Sequence, residues 1–128
     1  MTRTALADTS LFVAIEQGRP LRAAPPSSVT VSMITIGELR LGVLAARDDA
    51  ARALRLRTLT RALSFDPVPV DDPVAAAWAE LRAALRAAGR KMPSNDSWIA
   101  ATAIAYGLSV ATQDDDYDEV PGLDVVKL

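Results

Sequence analysis

Four carboxylates far apart in the chain, Asp8, Glu38, Asp96 and Asp114, each stand next to the predicted end or start of a regular element. The sequence contains neither histidine nor cysteine. That double absence removes imidazole general-base catalysis, Ser-His-Asp triads, thiol nucleophiles, His- or Cys-ligated zinc and any disulfide framework. Chemistry here must run on carboxylates, hydroxyls, Lys and Arg, or a hard metal ion. Gathering carboxylates is costly, since two of them ~5 Å apart repel by ~3 kcal/mol at an effective dielectric of about 20. With only oxygen donors on offer, such a cluster selects Mg²⁺ or Mn²⁺, ions that activate water and stabilise charge on a phosphate during in-line attack.

Each acid also has a plainer reading. Asp8 and Asp96 suit helix N-termini as caps or first-turn acids. Glu38 fits a solvated helix face, and Asp114-Asp115-Asp116 fits a polar turn after a strand. What favours a site is the convergence of all four on one edge, and that depends on the elements between them.

Residues 3–7 are short and apolar and read as a strand, followed at Asp8-Thr9-Ser10 by the start of a helix over 11–17. Gly18, Pro20 and Pro25-Pro26-Ser27-Ser28 mark a loop. A β-branched strand over 29–32 precedes an amphipathic helix over 33–46, and an Arg-bearing helix covers 49–63. Phe65–Val70 reads as a third strand, its Pro67 and Pro69 placing it at a sheet edge. Pro73 opens an Ala/Leu-rich helix that runs to Gly89, and Asn95 or Asp96 opens another that closes at Gly107. Residues 108–111 form a fourth strand and 124–127 a weak fifth. Alternating apolar strands and helices predict an α/β fold with a central parallel sheet of four to five strands covered on both faces. In such sheets, sites form beyond the carboxyl ends of the strands, where all four acids are predicted to lie.

With 128 residues the sequence is expected to form a single domain, 1–128, and at 50% hydrophobic it can bury a core. Only 5% is aromatic, so the core must be mostly Ala, Leu, Val and Ile. The longest apolar stretch, 99–106, falls far short of the ~20 residues a bilayer span needs. Asp8 interrupts the N-terminal apolar stretch, which makes a poor signal peptide, so a cytoplasmic protein is expected. The net charge of −2 does not argue against a nucleic-acid partner. Setting aside Asp8, Glu38, Asp96, Asp114, Asp115 and Asp116 leaves 10 acidic against 14 basic residues, and 12 of the basic ones are Arg, the better bidentate phosphate binder.

The segments Ala7-Asp8-Thr9-Ser10, Ser32-Met33-Ile34-Thr35-Ile36-Gly37-Glu38-Leu39, Asp96-Ser97-Trp98-Ile99-Ala100-Ala101 and Thr112-Gln113-Asp114-Asp115-Asp116-Tyr117 resemble, in order and spacing, the PIN-domain pattern of VapC toxins. The likeness spans nearly the whole chain. It implies a three-layer α/β/α fold and metal-dependent endonucleolytic cleavage of RNA, with Mg²⁺ as the metal and Mn²⁺ as a substitute. It also implies a homodimer inhibited by a VapB-type antitoxin. The family's acidic ligands fall on Asp8, Glu38, Asp96 and Asp114, and Asp116 matches a further acid of the last motif that acts through water. Thr112 matches that motif's hydroxyl residue, while Thr9 and Ser10 are further candidates to bond a ligand. Tyr117 departs from the Phe that is commoner there, and the first strand is short. The triple Asp leaves the choice among Asp114, Asp115 and Asp116 open.

Other functions fit less well. A haloacid-dehalogenase-like phosphatase needs an acid two positions after its nucleophile, where Ser10 stands. A phospho-acceptor receiver domain needs a lysine past a late strand, and Lys127 is next to last. A DNA-directed or structure-specific nuclease of the same fold shares the metal chemistry. A silent binding module would lack its usual sign, a missing acid. The arginines of 40–61 read either as phosphate or antitoxin contacts or as a solvated face, and Trp78 and Trp98 as core or dimer-interface residues rather than base-stacking platforms.

Overall fold

The three apolar residues Ala5–Ala7 form strand β1, and Asp8 immediately caps helix α1, Thr9–Glu16. A computed structural model describes residues 4–128; Arg3, the expected start of the first strand, lies outside the described residues. Strand β2, Val29–Val31, leads through Ser32 into α2, Met33–Leu44, and α3 follows over Asp49–Leu63. Two more helices, α4 (Asp72–Ala87) and α5 (Ser94–Ala105), precede β3, Ser109–Thr112. A 3-10 turn, Asp115–Tyr117, and β4, Val125–Lys127, complete the chain.

The sheet has four strands in the order β2-β1-β3-β4, every pair parallel. Side chains alternate across it, as the two-residue period of a strand requires. Ala5, Ala7, Val31 and Ala111 face a core shared with Leu11, Phe12, Ile36, Leu39 and Leu59 of α1, α2 and α3. Leu6 and Val110 face the opposite core, with Leu81, Leu85, Ile99 and Ala103 of α4 and α5. Helices on both faces make the three layers. The small Ala residues of β1 and β3 let helices approach closely, and truncating a fully buried residue such as Leu6 to Ala would cost ~2–5 kcal/mol.

The expected strand over 65–70 is not formed. Val68 alone bridges to Ser32, its N–H donating to the Val31 carbonyl at 2.8 Å while Met33 N–H donates to the Val68 carbonyl at 3.0 Å. The prolines on either side of Val68 lack the N–H groups a ladder needs, so pairing stops after one residue. Two helices start earlier than read from sequence, α4 at Asp72 behind an Asp71 cap and α5 at Ser94 after Pro93. Gly89 ends α4 at φ +66°, a conformation that favours glycine, and Arg90 N–H closes back on the Leu85 carbonyl at 2.9 Å. Among the described residues no helix is long and apolar enough to cross a membrane.

Candidate active site

Asp8 lies at the carboxyl end of β1, with its N–H donating to the Ala111 carbonyl of β3 at 3.0 Å. Its side chain is 2% exposed and accepts from Ser10 Oγ at 2.7 Å and, at a longer 3.4 Å, from Leu11 N–H. Asp8 is thus a helix cap and a candidate site residue at once. Burial pushes its carboxyl up to about 6; hydrogen bonds from Ser10, Thr112 and Leu11 oppose the shift, and the charge of Asp114 adds to it.

Glu38 sits one and a half turns into α2, held by the neighbours of two other acids. Thr9 Oγ1, next to Asp8, donates to Glu38 Oε1 at 2.6 Å and lies 3.1 Å from the buried Thr35 hydroxyl. Asn95, next to Asp96, donates from Nδ2 to Glu38 Oε2 at 3.4 Å. Helices α1, α2 and α5 therefore meet at this carboxylate.

Asp96 in the first turn of α5, Asp114 after β3 and Asp116 in the 3-10 turn bring carboxylate oxygens within 4.8 Å of one another. The turn is built by its own polar groups: Asp114 N–H donates to Thr112 Oγ1 at 2.8 Å and Asp116 N–H to Asp114 Oδ1 at 3.0 Å. The Asp96 carboxyl is pushed up to about 7, first by burial, then by its hydrogen bond with Asp116 and the charges of Asp114 and Asp116. Asp115 points away and pairs with Lys127, which also reaches Asp118 at 2.9 Å. Within the triple Asp, Asp114 and Asp116 turn toward Asp96, and Asp115 does not.

The tight triad is Asp96, Asp114 and Asp116, whereas Asp8 and Glu38 stand around it. Tyr117 links the two sets. Its hydroxyl donates to Asp96 Oδ1 at 3.3 Å, and its titration is driven well above the ordinary tyrosine range by burial and then by the charges of Asp8, Asp96 and Glu38. From the sequence Tyr117 is only a departure from the commoner Phe, and Asn95 only a helix opener. A polar atom at an otherwise apolar motif position was the one signal that pointed to Tyr117.

The donor set is all oxygen, and burial together with neighbouring acids raises two of its carboxyls, Asp8 and Asp96. A hard divalent cation fits both facts. The residues that would hold it are among Asp8, Glu38, Asp96, Asp114 and Asp116, of which the last three bring oxygens within 4.8 Å of one another.

The PIN domain family pattern matches residues 5–123. The chain belongs to the PIN domain family. It is 49% identical to Ribonuclease VapC4 of Mycobacterium tuberculosis over 98% of each chain, and 45% identical to Ribonuclease VapC5 of the same organism over 94% of this chain and 90% of that protein. The crystal structure of VapBC-5 from M. tuberculosis, a member of the VapBC family of toxin–antitoxin systems, superposes with a TM-score of 0.88 at 40% identity, covering 98% of both chains. The expected PIN fold thus holds, with four strands of the four to five expected.

The arginines of 40–61 divide by role. Arg55 donates to the Gly42 carbonyl at 2.7 Å and ties α3 to α2, while Arg52 pairs loosely with Asp49 at 3.6 Å. Arg57 and Arg61 instead border an apolar groove of about 520 Å³ with Phe12, Ile15, Leu54 and Phe65. Trp78 and Trp98 stack on each other, 4.3 Å between centroids and 3° from parallel, and Trp78 Nε1 donates to Ser97 Oγ. They join α4 to α5, with one face of each ring spent on the other.

Proposed function

We propose that this chain is the toxin ribonuclease of a toxin–antitoxin pair, hydrolysing RNA phosphodiester bonds endonucleolytically at a Mg²⁺ site that Mn²⁺ can also fill. The observation that carries this reading is the convergence of Asp96, Asp114 and Asp116 within 4.8 Å at the carboxyl edge of a PIN sheet. Relatives named as VapC ribonucleases support the substrate class.

In this reading Asp8, Glu38, Asp96 and Asp114 supply ligand oxygens, and Asp116 adds the further acid of the last motif. Bound among these carboxylates, a divalent cation would supply an activated water and positive charge toward the scissile phosphate. The chain's own part is to fix the carboxylates: Ser10 holds Asp8, Thr9 and Asn95 hold Glu38, Tyr117 holds Asp96, and Thr112 sets the backbone of Asp114. Partners in this reading are RNA, a VapB-type antitoxin and a second copy of the chain, acting in the cytoplasm. The antitoxin is supported by exposed apolar surface on α2, where Leu41 is 66% and Leu44 79% exposed, and by the groove bordered by Arg57 and Arg61.

The test compares matched RNA and DNA strands with Mg²⁺ and with excess EDTA. RNA cleavage that stops in EDTA, with DNA left intact, is expected. Equal cleavage of the DNA strand favours the DNA-directed alternative, and undiminished cleavage in EDTA rejects the metal mechanism.

A further inference from the structure

Beside the acidic site lies a pocket of opposite charge. It occupies the junction between α4 and α5, holds about 450 Å³, and is lined by Arg82, Arg86, Arg90 and Lys91 over the apolar Leu85 and Met92. No acid is among its lining residues, in a chain whose net charge is −2. Four cations face one concavity without an acid between them, an arrangement that self-repels unless an anion enters.

Two of these cations build the pocket. Arg82 Nη1 donates to the Met92 carbonyl at 3.1 Å, pinning the loop to α4. Arg90 donates from Nη1 to the Glu119 carbonyl at 2.5 Å and from Nη2 to the Asp118 carbonyl at 2.8 Å. The left-handed Gly89 makes the turn that sends Arg90 there. Arg86 and Lys91 are exposed, and neither joins an ion pair among the described residues. They are left to meet a ligand.

The position is as informative as the charge. Arg90 grips the residues directly after the 3-10 turn that carries Asp116, and Lys91 stands five residues before Asp96. Met92 is packed in one core with Tyr117 and Val120. The pocket therefore lies along the loop that leads into α5, whose first turn carries Asp96, and its Arg90 holds the segment after the turn that carries Asp116. A polyanion whose one phosphate reaches a cation among the acids needs its neighbouring phosphates received by positive charge, because bare carboxylates would repel them.

We propose that this pocket is a phosphate subsite of the substrate strand, in which Arg86 and Lys91 hold RNA backbone flanking the scissile bond. The subsite rests on the ribonuclease reading for its ligand and on its own geometry for its place. Contacts of this kind position a strand without reading its sequence.

The test measures binding of a fluorescein-labelled single-stranded RNA oligomer by anisotropy in EDTA, on the full chain carrying Asp96→Asn so that the oligomer stays intact. Adding Arg86→Ala and Lys91→Ala should weaken binding roughly tenfold near 0.1 M salt and lower the salt slope of log Kd by about 1.4, at about 0.7 per lost contact on a single strand. Arg47→Ala with Arg52→Ala removes the same charge from exposed positions elsewhere and should change affinity less than about twofold. An unchanged affinity and slope for the Arg86/Lys91 variant overturns the subsite, as does an equal loss in the control pair. Loss of binding to poly-glutamate with RNA affinity retained also overturns it, because the pocket then serves an acidic protein segment. Wild-type cleavage of RNA with Mg²⁺ is read separately: its failure rejects the ribonuclease reading, while the anisotropy still decides the pocket.

Discussion

The hydroxyl of Tyr117, inside a fully buried ring, donates to Asp96 Oδ1 at 3.3 Å, so one acid of the triad is held from the core side by a residue of the same turn that supplies Asp116. A phenylalanine there would fill the same space and leave that oxygen without the donor.

Tyr117→Phe should therefore keep the fold and change the site. The bond holds the Asp96 carboxyl lower than it would otherwise be, so its removal moves Asp96 further upward. Protons then compete better with a cation, and affinity for Mn²⁺ at pH 7 should fall by roughly threefold to tenfold, the equivalent of one ordinary hydrogen bond. Titration of the side-chain carboxyl by NMR and metal calorimetry check both halves. An Asp96 titration that does not move would show the hydroxyl to be only packing.

Without metal, stability should decline as pH rises from about 4 to about 7, the window between the ordinary carboxyl value of 3.8 and the raised values of Asp8 and Asp96. The sign follows from proton binding: a raised folded-state value means the folded chain holds more protons in that window, so each added pH unit favours the unfolded state. For buried Asp8 the full effect is on the order of 3 kcal/mol, from a shift of about two units. Thermal melts in EDTA across this range should show the fall, and Asp8→Asn should flatten it, since the amide oxygen still accepts from Ser10. Saturating Mg²⁺ should reverse the trend, because ligands freed of protons bind the ion better.

The sequence placed most of this architecture because its punctuation is local. Asp8, Ser32, Asp48 and Asp71 cap α1 to α4 through their own side chains, and Gly89 and Gly107 end α4 and α5 at positive φ. Phe65–Val70 failed because its apolar alternation carries two prolines, and backbone donors outweigh pattern. The acids Asp8, Glu38, Asp96 and Asp114 were legible from the edges of their elements. Their partition into a tight triad and two flanking groups was not, because it depends on Lys127 of β4 drawing Asp115 away and on the Thr112 hydroxyl setting the turn. Such long-range side-chain choices leave no trace in spacing.

Asp96→Asn and Asp114→Asn should each cut RNA cleavage by at least about a hundredfold, in the range lost when a group stabilising transition-state charge is removed. Both should leave the metal-free fold as stable as wild type or more so, because each relieves repulsion within 4.8 Å. Asp115→Asn, outside the triad, should retain most activity. Single-turnover cleavage alongside thermal melts separates the cases, and equal losses at all three positions would mean that the turn itself, not its carboxylates, is at stake.

Inhibition by the partner protein should compete with the metal. A guanidinium supplied by an antitoxin could bridge two of the clustered carboxylates bidentately and replace the cation's charge. Most of the contact area would come from apolar surface, which the exposed Leu41 and Leu44 and the groove around Phe12 and Phe65 offer. Asp96→Asn should thus weaken antitoxin binding modestly, while Leu44→Glu at the apolar surface should weaken it more. Raising Mg²⁺ should lower antitoxin affinity in wild type and have little effect on the Asp96→Asn protein, whose metal site is impaired. Calorimetry of the complex over a wide Mg²⁺ range reads this directly: a wild-type affinity that stays constant while the site fills would place the inhibitor's basic group elsewhere.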